Sequence, residues 1–216
     1  MQARSFKFVG CQVIVMAKHP WNIREGFIFG SLLLASGVLL QFLVGPVVWQ
    51  LLAWPVNVIM LAVLLVAVGV MYALRRRVPF FEWQMHNGAA VPALTYALGL
   101  TIIMGLILQT PMGGVPYLSR MLRLWPFVLA WGWVVVISGL AALNHLLRFK
   151  WREIPFVLNH LGVFVAIVAA ALGSAGELAG AWLAAVYAGI IMMMAGAICL
   201  MLFMAPKPAK EEEDRK

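Results

Sequence analysis

The side chains with chemistry to offer are four histidines, His19, His86, His145 and His160, two of them preceded by asparagine, in a chain that is otherwise largely hydrocarbon. His145 lies three residues before Arg148, and His160 lies five residues after Pro155. The charged turn between them, Arg148 to Glu153, is short. If an apolar helix ends at that turn and another begins there, the two run antiparallel and present both imidazoles at similar depth. His86 opens a further apolar stretch on the same side. Facing neutral imidazoles hold haem iron by axial ligation in helical membrane proteins, and Arg148, Lys150 and Arg152 suit the propionates. The candidate cofactor site is therefore His160, His145 and His86 with Arg148 and Arg152, the iron falling to His160 and His145.

A plainer reading stands beside it. A histidine near a helix end is often only a polar terminus, and Asn144-His145 and Asn159-His160 could hydrogen-bond to each other and lock the hairpin. Glu177 lies in an outer turn, where it solvates the loop. Met192, Met193 and Met194 point in different directions on a helix and have no Cys or His beside them, so packing explains them better than a soft metal. Gln41 and Asn57 are isolated polar groups suited to hydrogen bonds between helices. Cys11 and Cys199 belong to no paired motif. There is no phosphate loop, no HExxH, no nucleophile elbow and no paired intramembrane carboxylate, so the chain is not expected to be an enzyme.

The elements that must position these groups follow from composition. Of 216 residues, 64% are hydrophobic and 11% charged, with mean hydropathy +0.95. A soluble domain is about half apolar and about a quarter charged. The expected fold is all-α, a polytopic integral membrane bundle of six helices with no large soluble domain. The formal charge of +8 does not point to nucleic acid, because the basic residues lie between apolar runs and at the ends, as anchors of topology.

Spans are expected at about 26–44, 55–74, 91–108, 125–147, 155–173 and 181–204. They are separated by Gly45-Pro46 with Trp49 and Trp54, by Arg75-Arg76-Arg77, by a turn-rich loop from Thr110 to Pro116, by the charged turn, and by GSAGELAG. Residues 78–90 read as an amphipathic stretch lying along the interface. Residues 1–25 form a cytoplasmic or interfacial lead-in, 26–204 the six-helix domain, and 205–216 a solvated charged tail. This topology leaves Arg120 and Arg123 outside and the other fourteen of sixteen basic residues inside, with both termini cytoplasmic.

Four segments carry a resemblance: WNIREGFIFGSLLLASGVLLQFLVGPV, WPVNVIMLAVLLV, VPALTYALGLTIIMGLILQ and FKWREIPFVLNHLGVFVAIVAAALGSAG. They resemble the membrane part of the ResB-like (CcsB) family of System II cytochrome c biogenesis proteins over about residues 21–176. The Asn-His-Leu-Gly start and Leu-Gly-Ser-Ala-Gly end of the fifth span carry it most. The resemblance implies a bacterial inner-membrane protein that, with a CcsA-type partner, helps bring haem b, held transiently, across the bilayer to apocytochrome c. It assigns His160 as a haem ligand; His145 and His86 come from topology. Family members usually have a large extracytoplasmic domain, whereas the longest outer loop here is about 17 residues, and the chain lacks the partner's tryptophan-rich WWD signature. Two other readings remain: a cytochrome b-like quinol subunit, and a structural membrane subunit of a respiratory or assembly complex.

Overall fold

A computed structural model describes residues 22–106, 118–148, 150–173 and 180–204. The expected lead-in through residue 21 with Cys11 and His19, the loop at 110–117, the turn at 174–179 with Glu177, and the tail from 205 lie outside these residues. The described chain folds as α1 (Ile23–Val44), α2 (Val56–Leu74), α3 (Pro79–Trp83), α4 (Asn87–Leu106), α5 (Trp125–Leu147), α6 (Ile154–Gly173) and α7 (Ala181–Met204), with short 3-10 turns at Trp49–Leu52, Leu118–Arg123 and Trp151–Glu153. No strand occurs among the described residues. All but α3 are long and apolar enough to cross a membrane. At about 1.5 Å per residue their 19 to 24 residues reach about 29–36 Å, against a hydrocarbon layer of about 30 Å.

Local chemistry sets the helix ends. The Glu25 carboxylate accepts the Asn22 N–H at 2.6 Å, so α1 begins before the charged pair at Arg24-Glu25 rather than after it. Gly45, at φ 85°, stops α1 in the left-handed region that favours glycine. Pro79 and Pro126 fall in the first turns of α3 and α5, where a missing N–H costs nothing.

α5 is the axis of the bundle. Of its most apolar window 56% is buried, against 11% in α1 and α7. α1 and α4 pack on one side of α5 and on each other, α2 packs against α5 and α6, and α7 packs chiefly on α6. The α6–α7 contact is made at backbone level. A Cβ built on Gly189 would lie 2.8 Å from the Gly162 carbonyl oxygen, and one on Gly196 would lie 2.8 Å from that of Pro155. Small residues permit such an approach in a medium where lipid competes with every larger side chain.

The stretch at 78–90, expected as an amphipathic segment, leaves Glu82, His86 and Asn87 exposed and turns two side chains into the bundle. Trp83 and Gln84 are 3% and 4% exposed, and the Trp133 indole N–H donates to Gln84 Oε1 at 2.8 Å. Phe29 stands edge-on to Trp133 and Trp83 at 4.9 and 6.0 Å. Phe29 and Trp133 provide the inward aromatic wall and one amide acceptor satisfies the indole, so α3 turns into the bundle. At the far end, Gln41 Oε1 accepts the Trp125 backbone N–H at 3.1 Å, and the indoles of Trp125 and Trp49 donate to Gly45 O and Leu122 O, each at 3.0 Å. Gln41 thus bridges helices as expected. Among the described residues Asn57 does not, its Oδ1 accepting the neighbouring Val58 N–H.

Replacing Gln84 by Leu strands the Trp133 N–H and should cost about 1–3 kcal/mol, read as a lower thermal midpoint in detergent. Adding Trp133→Phe should recover part of the loss, because the donor that Gln84→Leu strands is then gone. Gly189→Leu should part α7 from α6, lowering the midpoint by the equivalent of about 1–3 kcal/mol.

Candidate functional site

The site is built on the turn joining α5 to α6. α5 ends at Leu147, two residues past His145, and the turn Trp151–Glu153 carries the chain directly into α6. The Glu153 amide donates to the Lys150 carbonyl at 2.7 Å. That tight turn brings the Glu153 carboxylate back over α5, where Oε2 lies 3.0 Å from His145 Nδ1. A carboxylate only accepts, so the proton of a neutral His145 ring is on Nδ1 and the Nε2 lone pair is left open. His160 reaches the same state by another route. Its Nδ1 lies 2.7 Å from the Phe156 carbonyl oxygen, one turn earlier on α6, and a carbonyl also only accepts.

The two rings stand 6.0 Å apart, tilted by 31°. Phe156 stacks on His145 at 6.0 Å with 18° between the planes. The His145 and Glu153 side chains are 31% and 27% exposed, so the pair stands at the edge of the bundle. Antiparallel helices joined by a short turn thus bring together the two histidines that the sequence placed at similar depth.

Other site residues fall differently. His86 is exposed at the start of α4, where its carbonyl accepts the N–H groups of Ala89 and Ala90 at 3.0 and 3.2 Å. No hydrogen bond or ring contact joins it to the other two among the described residues. Arg148 and Arg152 are exposed. The mutual asparagine–histidine hydrogen bonds do not form. Asn144 Oδ1 is buried without a partner among the described residues, and Asn159 lies against α7, where a Cβ on Gly196 would approach its side chain to 3.0 Å. Glu153, which the sequence offered only as a turn charge, is the partner that orients His145. The signal for it was its spacing, eight residues from His145 across a hairpin.

His160 and Asn159 also line a groove of about 180 Å³ with Ser138 and Ile137 of α5 and Ala90 and Leu94 of α4. His86 lies one turn before that wall. As donors the two Nε2 atoms fit axial ligation of haem iron, each held by an Nδ1–H bond of the kind that fixes metal-ligating histidines. The enclosed space does not fit a resident porphyrin, since the groove is smaller than the roughly 300–1,000 Å³ of a pocket that buries a ligand of that class. Embedding one between the two rings would require α5 and α6 to part. Haem would have to be met at the edge of the bundle, where His145 and His160 would offer Nε2 and the exposed Arg148 and Arg152 could meet its propionates.

In ¹⁵N spectra of histidine-labelled protein, His145 and His160 should both show the Nδ1–H tautomer in the neutral ring. Glu153→Ala should abolish that preference at His145 and leave His160 unchanged. Comparison of the chain with models of known protein families, with curated proteins and with solved structures finds no match.

Proposed function

We propose that this chain is a membrane component of cytochrome c biogenesis that, with a CcsA-type partner, binds haem transiently and assists its passage across a bacterial inner membrane to apocytochrome c. The observation that carries the reading is the meeting of His145 and His160 at one edge of the bundle, each with Nε2 free of a partner among the described residues. Haem supplies an iron that takes two such nitrogens. Within the chain, Glu153 and the Phe156 carbonyl hold the two rings in the ligating tautomer, and the exposed Arg148 and Arg152 offer charge to propionates. The resemblance of the fifth span to the ResB-like family supports the same reading. Half-exposed ligands without a pocket large enough for a porphyrin favour a hand-over site above a permanent electron carrier, which sets the cytochrome b-like alternative second. On the positive-inside rule, the end carrying Arg75-Arg76-Arg77 and the α5–α6 turn faces the cytoplasm, where haem would be accepted.

One observation favours a structural role instead. The His145–Glu153 bond closes the α5–α6 turn and would do so in a protein that never meets haem. An absorption spectrum of the detergent-purified protein, oxidised and dithionite-reduced, separates the readings when taken with and without a coexpressed CcsA-type partner. A b-type spectrum lost in His160→Ala or His145→Ala supports ligation. A colourless wild type in both preparations supports the structural subunit. Glu153→Gln should keep the spectrum while weakening haem affinity by about 10–100-fold, the usual effect of losing a residue that orients a ligand.

A further inference from the structure

Two grooves flank the α5–α6 hairpin, and their linings differ in kind. The one beside His160 contains Ser138, Asn159 and an imidazole. The other, about 150 Å³ between α2, α5 and α6, is lined by Leu65, Val68, Leu143, Leu146, Val157 and Leu161 with Gly, Ala and Phe, and has no polar side chain in its wall. Nothing there can ligate a metal or hydrogen-bond a polar ligand. Its chemistry is that of a hydrocarbon chain. A helix, about 10 Å across, is too wide for it.

The length of the groove adds a second constraint. Leu65 lies near the middle of α2, and Arg76 is eleven residues further along, about 16 Å at a rise of about 1.5 Å per residue. One leaflet of the hydrocarbon layer is about 15 Å deep. On the hairpin the groove ends two residues before Arg148, at Leu146, and five after Arg152, at Val157. The groove therefore runs from the bilayer centre to a rim, and Trp151, 77% exposed in the turn, marks that rim as an interface.

The rim is basic. Seven described cations, Arg24, Arg75, Arg76, Arg77, Arg148, Lys150 and Arg152, share this end with three acids, Glu25, Glu82 and Glu153. Glu25 is bonded to Asn22 and Glu153 to His145. Arg75 is committed as well, stacked 3.6 Å over the Tyr72 ring with Nη1 donating to Tyr72 O at 2.6 Å. Arg76, Arg77 and Arg148 are exposed, and their side chains make no hydrogen bond or ion pair among the described residues.

We infer that the α2–α5–α6 groove is a site for one anionic phospholipid, an acyl chain lying along Leu65, Leu143 and Leu161 and the phosphate held by Arg76, Arg77 and Arg148. A zwitterionic lipid fills the groove equally well but carries its own ammonium to a rim already in cationic excess. The groove itself is separate from the one beside His160, in which α2 takes no part, and Arg148 is the one residue common to the two readings.

Native mass spectrometry of the full chain in detergent, with dioleoyl phosphatidylglycerol and dioleoyl phosphatidylcholine in equal amounts, tests this. The phosphatidylglycerol adduct should exceed the other by about fivefold or more, the effect of about one basic contact. Arg76→Gln/Arg77→Gln/Arg148→Gln should bring the ratio close to one, the matching Lys variants should keep it, and Arg123→Gln, at the opposite end, should leave it unchanged. Glycerol phosphate, the head group without a chain, should not displace the lipid. Equal retention of the two lipids by the wild type, a preference that survives the Gln variant or falls as far in Arg123→Gln, or displacement by glycerol phosphate would each overturn the assignment. If the Gln variant fails to fold, the wild-type lipid ratio and the glycerol phosphate competition still decide it.

Discussion

Inside hydrocarbon a polar atom has no water to return to, and that constraint places the helices of this chain. Apolar packing alone cannot do so, since a leucine gains as much from a lipid tail as from a neighbouring helix. Among the polar contacts, a few join distant parts of the sequence. Trp133 and Gln84 fix α3 against α5. Gln41 fixes the end of α1 to the start of α5. The Tyr96 hydroxyl donates to the Phe27 carbonyl at 2.9 Å and lies 2.6 Å from Ser31 Oγ, which fixes α4 to α1. Glycines then set how closely the located helices approach.

The α5–α6 hairpin gathers what chemistry the chain has. Its turn makes a carboxylate the partner of one imidazole, while a helical carbonyl becomes the partner of the other. The grooves on its two sides are both largely apolar, and only the one beside His160 has polar side chains in its wall. A single short connection therefore sets imidazole orientation and the position of the basic residues.

The six spans were legible in the sequence because hydropathy, Gly45-Pro46 and the arginine triplet are local signals, and an all-α membrane fold needs little more. The meeting of His145 with His160 was legible as well, since a six-residue charged turn leaves antiparallel helices few other arrangements. The inward turn of α3 was not. A short run of Pro, Phe, Glu and Trp suits an interface or an interior equally well, and what decides is Phe29 and Trp133, each about fifty residues away. Nor was the pairing of Glu153 with His145, because a glutamate beside an arginine in a turn reads first as solvated. The asparagines preceding both histidines gave the wrong network: adjacent residues on a helix point about 100° apart, so a partner for one is rarely a partner for the next.

The way α1 is packed bears on how the molecule is made. Its neighbours are α4 and α5 rather than the helix that follows it in the chain. A ribosome delivers helices to the bilayer in order, so α1 and α2 enter before the surface that will receive them exists. α1 must remain largely surrounded by lipid until α4, which ends at Leu106, has been synthesised, and the later arrival of α5 is then the event that draws the inserted helices into one body. α7, by contrast, finds its seat on α6 as soon as it emerges.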